Sequence, residues 1–210
     1  MRGESVTDGK AAGAAASTRI YGGVSAVRRR EDRRQRLIDA GLELFGTRGV
    51  AAVGIVDICA EAGLIKRYFY ESFTSIDQLA AAVFEQVTDR LVEQVVPAII
   101  AGGGQDPRPA LTAYVHGALG DPRVARLLAV EGRTAALAKY GDGFATRAVE
   151  LWFGFSPPVE GRDEAALRLR AYAFAGALTQ VGLAWHDGVL DLTVDQVIDE
   201  LVAVFHALVD

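Results

Sequence analysis

The sequence predicts an all-α protein, with a small three-helix head at the N-terminal side and a larger helical body behind it. Three observations carry this. Apolar residues recur at spacings of three and four through most of the chain, as on a helix with one face turned to a core. Helix-start signals stand directly before several of these stripes: Ser75 with Gln78, Thr193 with Gln196, and the Asp106-Pro107 and Asp121-Pro122 pairs. Gly63 lies between two short helical stretches, at a corner where only glycine turns left-handed without steric cost. The chain has 210 residues, half of them hydrophobic, enough for a sizeable core in one large or two small domains.

Residues 1–27 are rich in Gly, Ala and Ser without a sustained apolar period, and are expected to form a disordered tail. They hold no continuous apolar signal core, so secretion is not indicated and a cytoplasmic location is expected. Arg28, Arg29, Arg30, Arg33, Arg34 and Arg36 follow in one short segment. They read as an arm that tracks phosphates or enters a minor groove, against the plainer reading of a solvated helix start. The first helix is expected from about Glu31 to Thr47, with Leu37, Ala40, Gly41, Leu44 and Phe45 as its core stripe and Gly46 and Gly49 closing it.

The head is organised around Val56–Phe73, VDICAEAGLIKRYFYESF. Ile55, Ile58 and Cys59 share a face of the first short helix. The second is expected from about Ile65 to Glu71, and it carries Lys66, Arg67, Tyr68 and Tyr70 within little more than one turn. Cations that reach phosphates and guanine edges, beside tyrosines that stack or donate, suit a helix in the DNA major groove. A helix-turn-helix uses its second helix this way. Phe69 and Phe73 are assigned to the core of the head.

Ile76, Leu79, Ala80, Val83, Phe84, Val87 and Leu91 form the clearest amphipathic stripe, expected to end or kink at Pro97. Gly102-Gly103-Gly104 is a loop without the Lys-Ser/Thr that a phosphate-binding loop needs. Helices are expected near 107–119, 122–130 and 131–154, with a break at Ser156-Pro157-Pro158. Residues 163–186 read as a long buried helix in which Ala171, Ala173, Ala175, Gly176 and Ala177 permit close approach. The nearly apolar run Ala171–Trp185 is short for a bilayer span and is interrupted by Thr179 and Gln180, so no membrane segment is expected. Val194, Val197, Ile198, Leu201, Val202, Phe205 and Leu208 line one face of the last helix.

From about Arg36 to Leu79 the chain resembles the TetR family of bacterial transcription regulators. The resemblance rests on Ala40, Leu44-Phe45, Gly49, Asp57-Ile58, Ala62-Gly63, Lys66, Tyr70, Phe73, Ser75 and Leu79 at fixed spacing. It implies a homodimer with a DNA-binding domain at 28–74 and a helical ligand-binding and dimerisation domain at 75–210, paired through its last two helices. The segment Lys66–Phe73, KRYFYESF, is a variant form. Large side chains stand at Arg67 and Tyr68, Ile65 and Val53-Gly54 replace Ser or Thr caps, Ile76 replaces a frequent Lys, and Cys59 replaces Ala.

The expected contacts to double-stranded DNA are Arg28, Arg29, Arg30, Arg33, Arg48, Lys66, Arg67, Tyr68 and Tyr70. The resemblance also implies a pocket for a small-molecule effector of unknown identity. Its candidates are Tyr114, His116, Leu128, Tyr140, Phe144, Trp152, Gln180 and Trp185, apolar or aromatic with a few polar handles. Charge fits the division: residues 1–75 carry 12 Lys+Arg and 9 Asp+Glu, and the remainder 10 and 18. The single cysteine, Cys59, allows no disulfide within the chain, and His116, His186 and His206 are scattered, so neither a metal site nor a cofactor is expected. No catalytic residues are assigned, because GxSxG, HExxH, P-loop and dinucleotide fingerprints are missing. The expected function is a ligand-released repressor on a palindromic operator. The alternative is a helical ligand-binding or interaction protein with a degenerate reading head.

Overall fold

The computed structural model describes the backbone of residues 12–155 and 163–209. Among the described residues the chain is helices and turns, with no strand. Helix α1 spans Ala12–Arg48, much longer than the expected start at Glu31. The segment 12–27, read as tail, is therefore helical: its Ala-rich start has high helix propensity and extends a helix already anchored at Leu37–Phe45. Residues 1–11 and the Ser156-Pro157-Pro158 break lie outside the described residues.

Helix α2 covers Ile55–Ala62 and ends on Gly63, whose φ of 61° and ψ of 41° are left-handed. The Leu64 amide returns to the Cys59 carbonyl at 2.8 Å, turning the chain into α3, Lys66–Tyr70. Helix α4, Ile76–Ala101, starts at Ser75, whose hydroxyl accepts from the Gln78 amide at 3.1 Å. Gln78 in return accepts from the Thr74 amide, one residue before the expected partner. The helix continues past Pro97, so of the expected end or kink the end does not occur; the proline removes one bond of the helix without stopping it.

Helix α5 spans Arg108–Leu119 and α6 spans Pro122–Ala129, with the Asp121 carboxylate accepting from the Arg123 amide at 2.9 Å. The expected helix at 131–154 is divided. A 3-10 turn occupies Glu131–Arg133, Thr134 is extended, and α7 begins only at Ala138, running to Phe155. The Thr134 hydroxyl donates to the Glu131 carbonyl at 2.6 Å, which closes the turn and competes with helix continuation. Helix α8 is Glu164–His186 and α9 is Val194–Val209.

Two apolar clusters hold the helices. One joins α1, α2 and α3 to the first half of α4 through Leu37, Phe45, Ile58, Phe69, Phe73 and Leu79, and reaches Leu127 and Leu137 of the body. The other joins α5 to α9 through Leu111, Val115, Val197, Ile198, Leu201 and Phe205. The expectation that α8 is buried is corrected for the single chain, where only its Gly182 is buried. One side of α8 packs on α6, α7 and α9, while Leu169, Ala173, Gly176 and Gln180 share an open face. No described helix is long and apolar enough to cross a membrane.

Candidate nucleic-acid interface and cavity

The α3 surface is built from the core outward. Phe69 is fully buried, edge-on to Tyr70 at 5.6 Å and beside Phe73 at 5.9 Å. This anchor turns Lys66, Arg67 and Tyr70 into solvent, with Tyr70 59% exposed and the Arg67 side chain 79% exposed. Tyr68 is half-buried, with the Arg33 guanidinium 4.4 Å over its ring. Glu71 gathers two cations, Arg67 at 3.1 Å and Arg33 at 3.5 Å. Ile65 precedes the helix without a side-chain cap, whereas Asp57 accepts from the Gly54 amide at 2.9 Å at the start of α2.

The arginine segment divides by role. Arg28, Arg29 and Arg30 are exposed on α1, as is Arg48 at its end. Arg33 and Arg34 turn inward, Arg34 lying 4.4 Å over the Phe73 ring. Arg36, read as part of the arm, instead donates to the carbonyls of Ala62 at 2.5 Å and Gly63 at 3.3 Å. It satisfies the carbonyl end of α2 and braces the corner. Cys59 is buried beneath this corner; burial pushes its thiol pKa up, and Lys66 partly opposes the shift.

The body contains a cavity of about 1540 Å³, larger than most small-molecule sites. Its walls come from α4 through α8, with a contribution from α9, and are mainly apolar. Of the eight candidates, Tyr114, Leu128, Phe144 and Trp152 line it. His116 and Gln180 are exposed, Tyr140 packs on the head cluster, and Trp185 packs in the α5–α9 cluster; none of these four lines the cavity. Burial raises the Tyr114 phenol to about 12, so it stays neutral.

Sequence reasoning missed Phe174, Phe205 and Thr179 on the walls, and Arg133 and Arg170 at more exposed positions. The aromatic part is an edge-to-face cluster, with the Phe205 ring 4.5 Å from Trp152 and 5.3 Å from Phe174. No local spacing signals it, because the three rings come from α7, α8 and α9. Among the described residues no three His, Cys, Asp or Glu side chains gather as a metal site.

Residues 37–83 match the family model described as bacterial regulatory proteins, tetR family. The HTH-type transcriptional activator FasR of Mycolicibacterium smegmatis is 32% identical over 127 residues, 57% of this chain and 58% of FasR. The match thus spans less than two thirds of that relative's length. A TetR-like transcriptional regulator from Rhodococcus sp. RHA1 has a similar structure, with 26% identity, a TM-score of 0.62, and coverage of 83% of this chain and 93% of that one. FadR from Bacillus subtilis, solved in complex with stearoyl-CoA, has a TM-score of 0.65 at 15% identity, with 84% and 97% covered; it shares the fold.

Proposed function

We propose that the chain is a dimeric, ligand-responsive transcription regulator of the TetR family. It binds a palindromic operator in double-stranded DNA and is released by a small apolar or aromatic effector, and so acts as a repressor. One observation carries this reading: a cationic, aromatic α3 stands exposed on a well-packed head, and the same chain holds a large, mainly apolar cavity. The head would be residues 28–74 and the sensing body 75–210. The open α8 face of Leu169, Ala173, Gly176 and Gln180 suits pairing with a second copy across a two-fold axis.

Lys66, Arg67, Tyr68 and Tyr70 would enter the major groove, while Arg28, Arg29, Arg30 and Arg48 meet phosphates. Arg33, stacked on Tyr68, supports the reading helix as well as adding charge. The effector would act by binding more tightly to the conformation whose head spacing no longer fits DNA. Tyr114 and Trp152 would orient it, and the stearoyl-CoA held by the Bacillus subtilis neighbour makes acyl thioesters a first class of probe.

The test is selection of bound duplexes from a random DNA library with the full chain. An enriched palindrome is expected. On it, Arg67→Ala should lose about 1–3 kcal/mol if Arg67 reads a base, with relaxed preference at one position. A folded dimer that enriches no motif, with or without acyl thioester, would overturn the regulator reading in favour of a ligand-binding protein with a degenerate head. A reporter under the enriched site fixes the sign of regulation, which matters because FasR is an activator.

A further inference from the structure

The segment from α6 through the Glu131–Arg133 turn has two faces. Ala125, Leu128, Ala129, Gly132 and Arg133 face the cavity. Arg123 and Glu131 face the head. Arg123 donates to Glu43 of α1 at 2.7 Å, and its backbone lies so close to Gly46 that a Cβ there would sit 2.7 Å from the Arg123 Cα. Glu131 is 5% exposed, and its Oε2 accepts from the Val50 amide at 3.1 Å across 81 residues of sequence. No other acceptor for that amide stands among the described backbone bonds.

The surroundings make this contact specific. Gly49, just before Val50, has a φ of 85°, and a Cβ on it would lie 2.9 Å from Glu131 Oε1. The other partner of Glu131 is weaker: Arg126 approaches at 3.4 Å, and its Nε is buried without a hydrogen-bond partner. The carboxylate is thus held chiefly by the head. A buried carboxylate is costly unless well bonded. Behind it, Gly132 touches the cavity helix α7 backbone to backbone, since a Cβ on Gly141 would lie 2.5 Å from the Gly132 oxygen. A shift of α7 therefore displaces Gly132, and Glu131 is its chain neighbour.

We infer that Glu131 is a positioning residue that joins the cavity wall to the reading head, by holding the Val50 amide and with it the turn leading into α2 and α3. The inference rests on the regulator reading and names how its two sites communicate. Coupling of this kind is reciprocal, so DNA on the head must be felt at the cavity wall.

Two hydrogen-exchange measurements test it. In the free protein, Glu131→Ala should speed Val50 amide exchange by about tenfold or more, while Glu131→Gln, which keeps an acceptor oxygen, stays within about threefold. Should the alanine variant not fold, Glu131→Asp, one methylene shorter, is expected to speed the same amide. Adding the enriched duplex should alter exchange in residues 138–155 of wild type and Glu131→Gln. In Glu131→Ala that remote response should vanish while protection of α3 by DNA persists, a separation that loss of stability alone does not produce. Unchanged Val50 exchange, or a remote response that survives the alanine substitution, overturns the inference. A wild-type chain that binds no duplex removes the regulator reading instead, and Val50 exchange in the free protein still decides whether Glu131 holds the head.

Discussion

The head and the cavity side of the body set their aromatic rings in opposite surroundings. In the head, a Cβ at Gly41 would meet Val83 at 2.7 Å, so α1 and α4 pack without spare room there. On α7, the glycines turned to solvent, Gly143 and Gly154, leave a Cβ nothing within 4 Å, while Gly141 on the cavity side is as tight as the head, with a Cβ 2.5 Å from the Gly132 oxygen. Phe45 and Phe69 are fully buried, whereas the rings of Phe144 and Trp152 look into an open cavity. A dense core fixes one geometry for the side chains it carries, while rings that border a cavity keep room for a bound molecule.

The largest break in this contrast should come from the core. Phe45→Ala should cost about 3–5 kcal/mol of unfolding free energy, while Phe144→Ala, at a wall that already borders empty space, costs far less. Denaturant titration of both variants checks this; equal losses would erase the distinction.

Next comes Tyr114. Its phenol is raised from 10 to about 12 by burial, so its contribution to stability is complete below pH 10 and is lost as pH rises through about 12. The loss should reach about 2–3 kcal/mol across that window, following about 1.4 kcal/mol per unit. Absorbance titration should show one late phenol in the folded protein that Tyr114→Phe removes.

Gly46→Ala should cost about 1–3 kcal/mol, because the added methyl meets the Arg123 backbone and forces α1 from α6. The smallest effect has the opposite sign. Gly143→Ala, in open space on α7, should stabilise by about 0.5–1 kcal/mol, read as a rise in melting temperature.

What could be read from the sequence was local. Ser75 and Asp121 start their helices as their side chains require, and Gly63 turns where the spacing placed a corner. The α3 surface followed, since Phe69 inside and Lys66, Arg67 and Tyr70 outside is a property of one short helix. The cavity was half legible. Tyr114 and His116 are two residues apart, so one lines the wall and the other meets solvent, and only the packing of α5 decides which. Glu131 gave no signal, because its partner Val50 is distant in sequence and contributes only a backbone amide. Arg36 sat among five other arginines and differs from them only by its position opposite the end of α2.

The unbroken course of α1 has a consequence for how the arginines can act. A 37-residue helix is a rod about 55 Å long and about 10–12 Å across. The minor groove of B-form DNA is about 6 Å wide, so a strand can thread it and a helix cannot. Carried on such a rod, the backbone of this segment stays outside the groove, so in the proposed complex Arg28, Arg29 and Arg30 would meet DNA through their side chains alone. Any phosphate contacts they made would act by counterion release and weaken all sequences alike as salt rises, which a salt titration of the proposed complex would read.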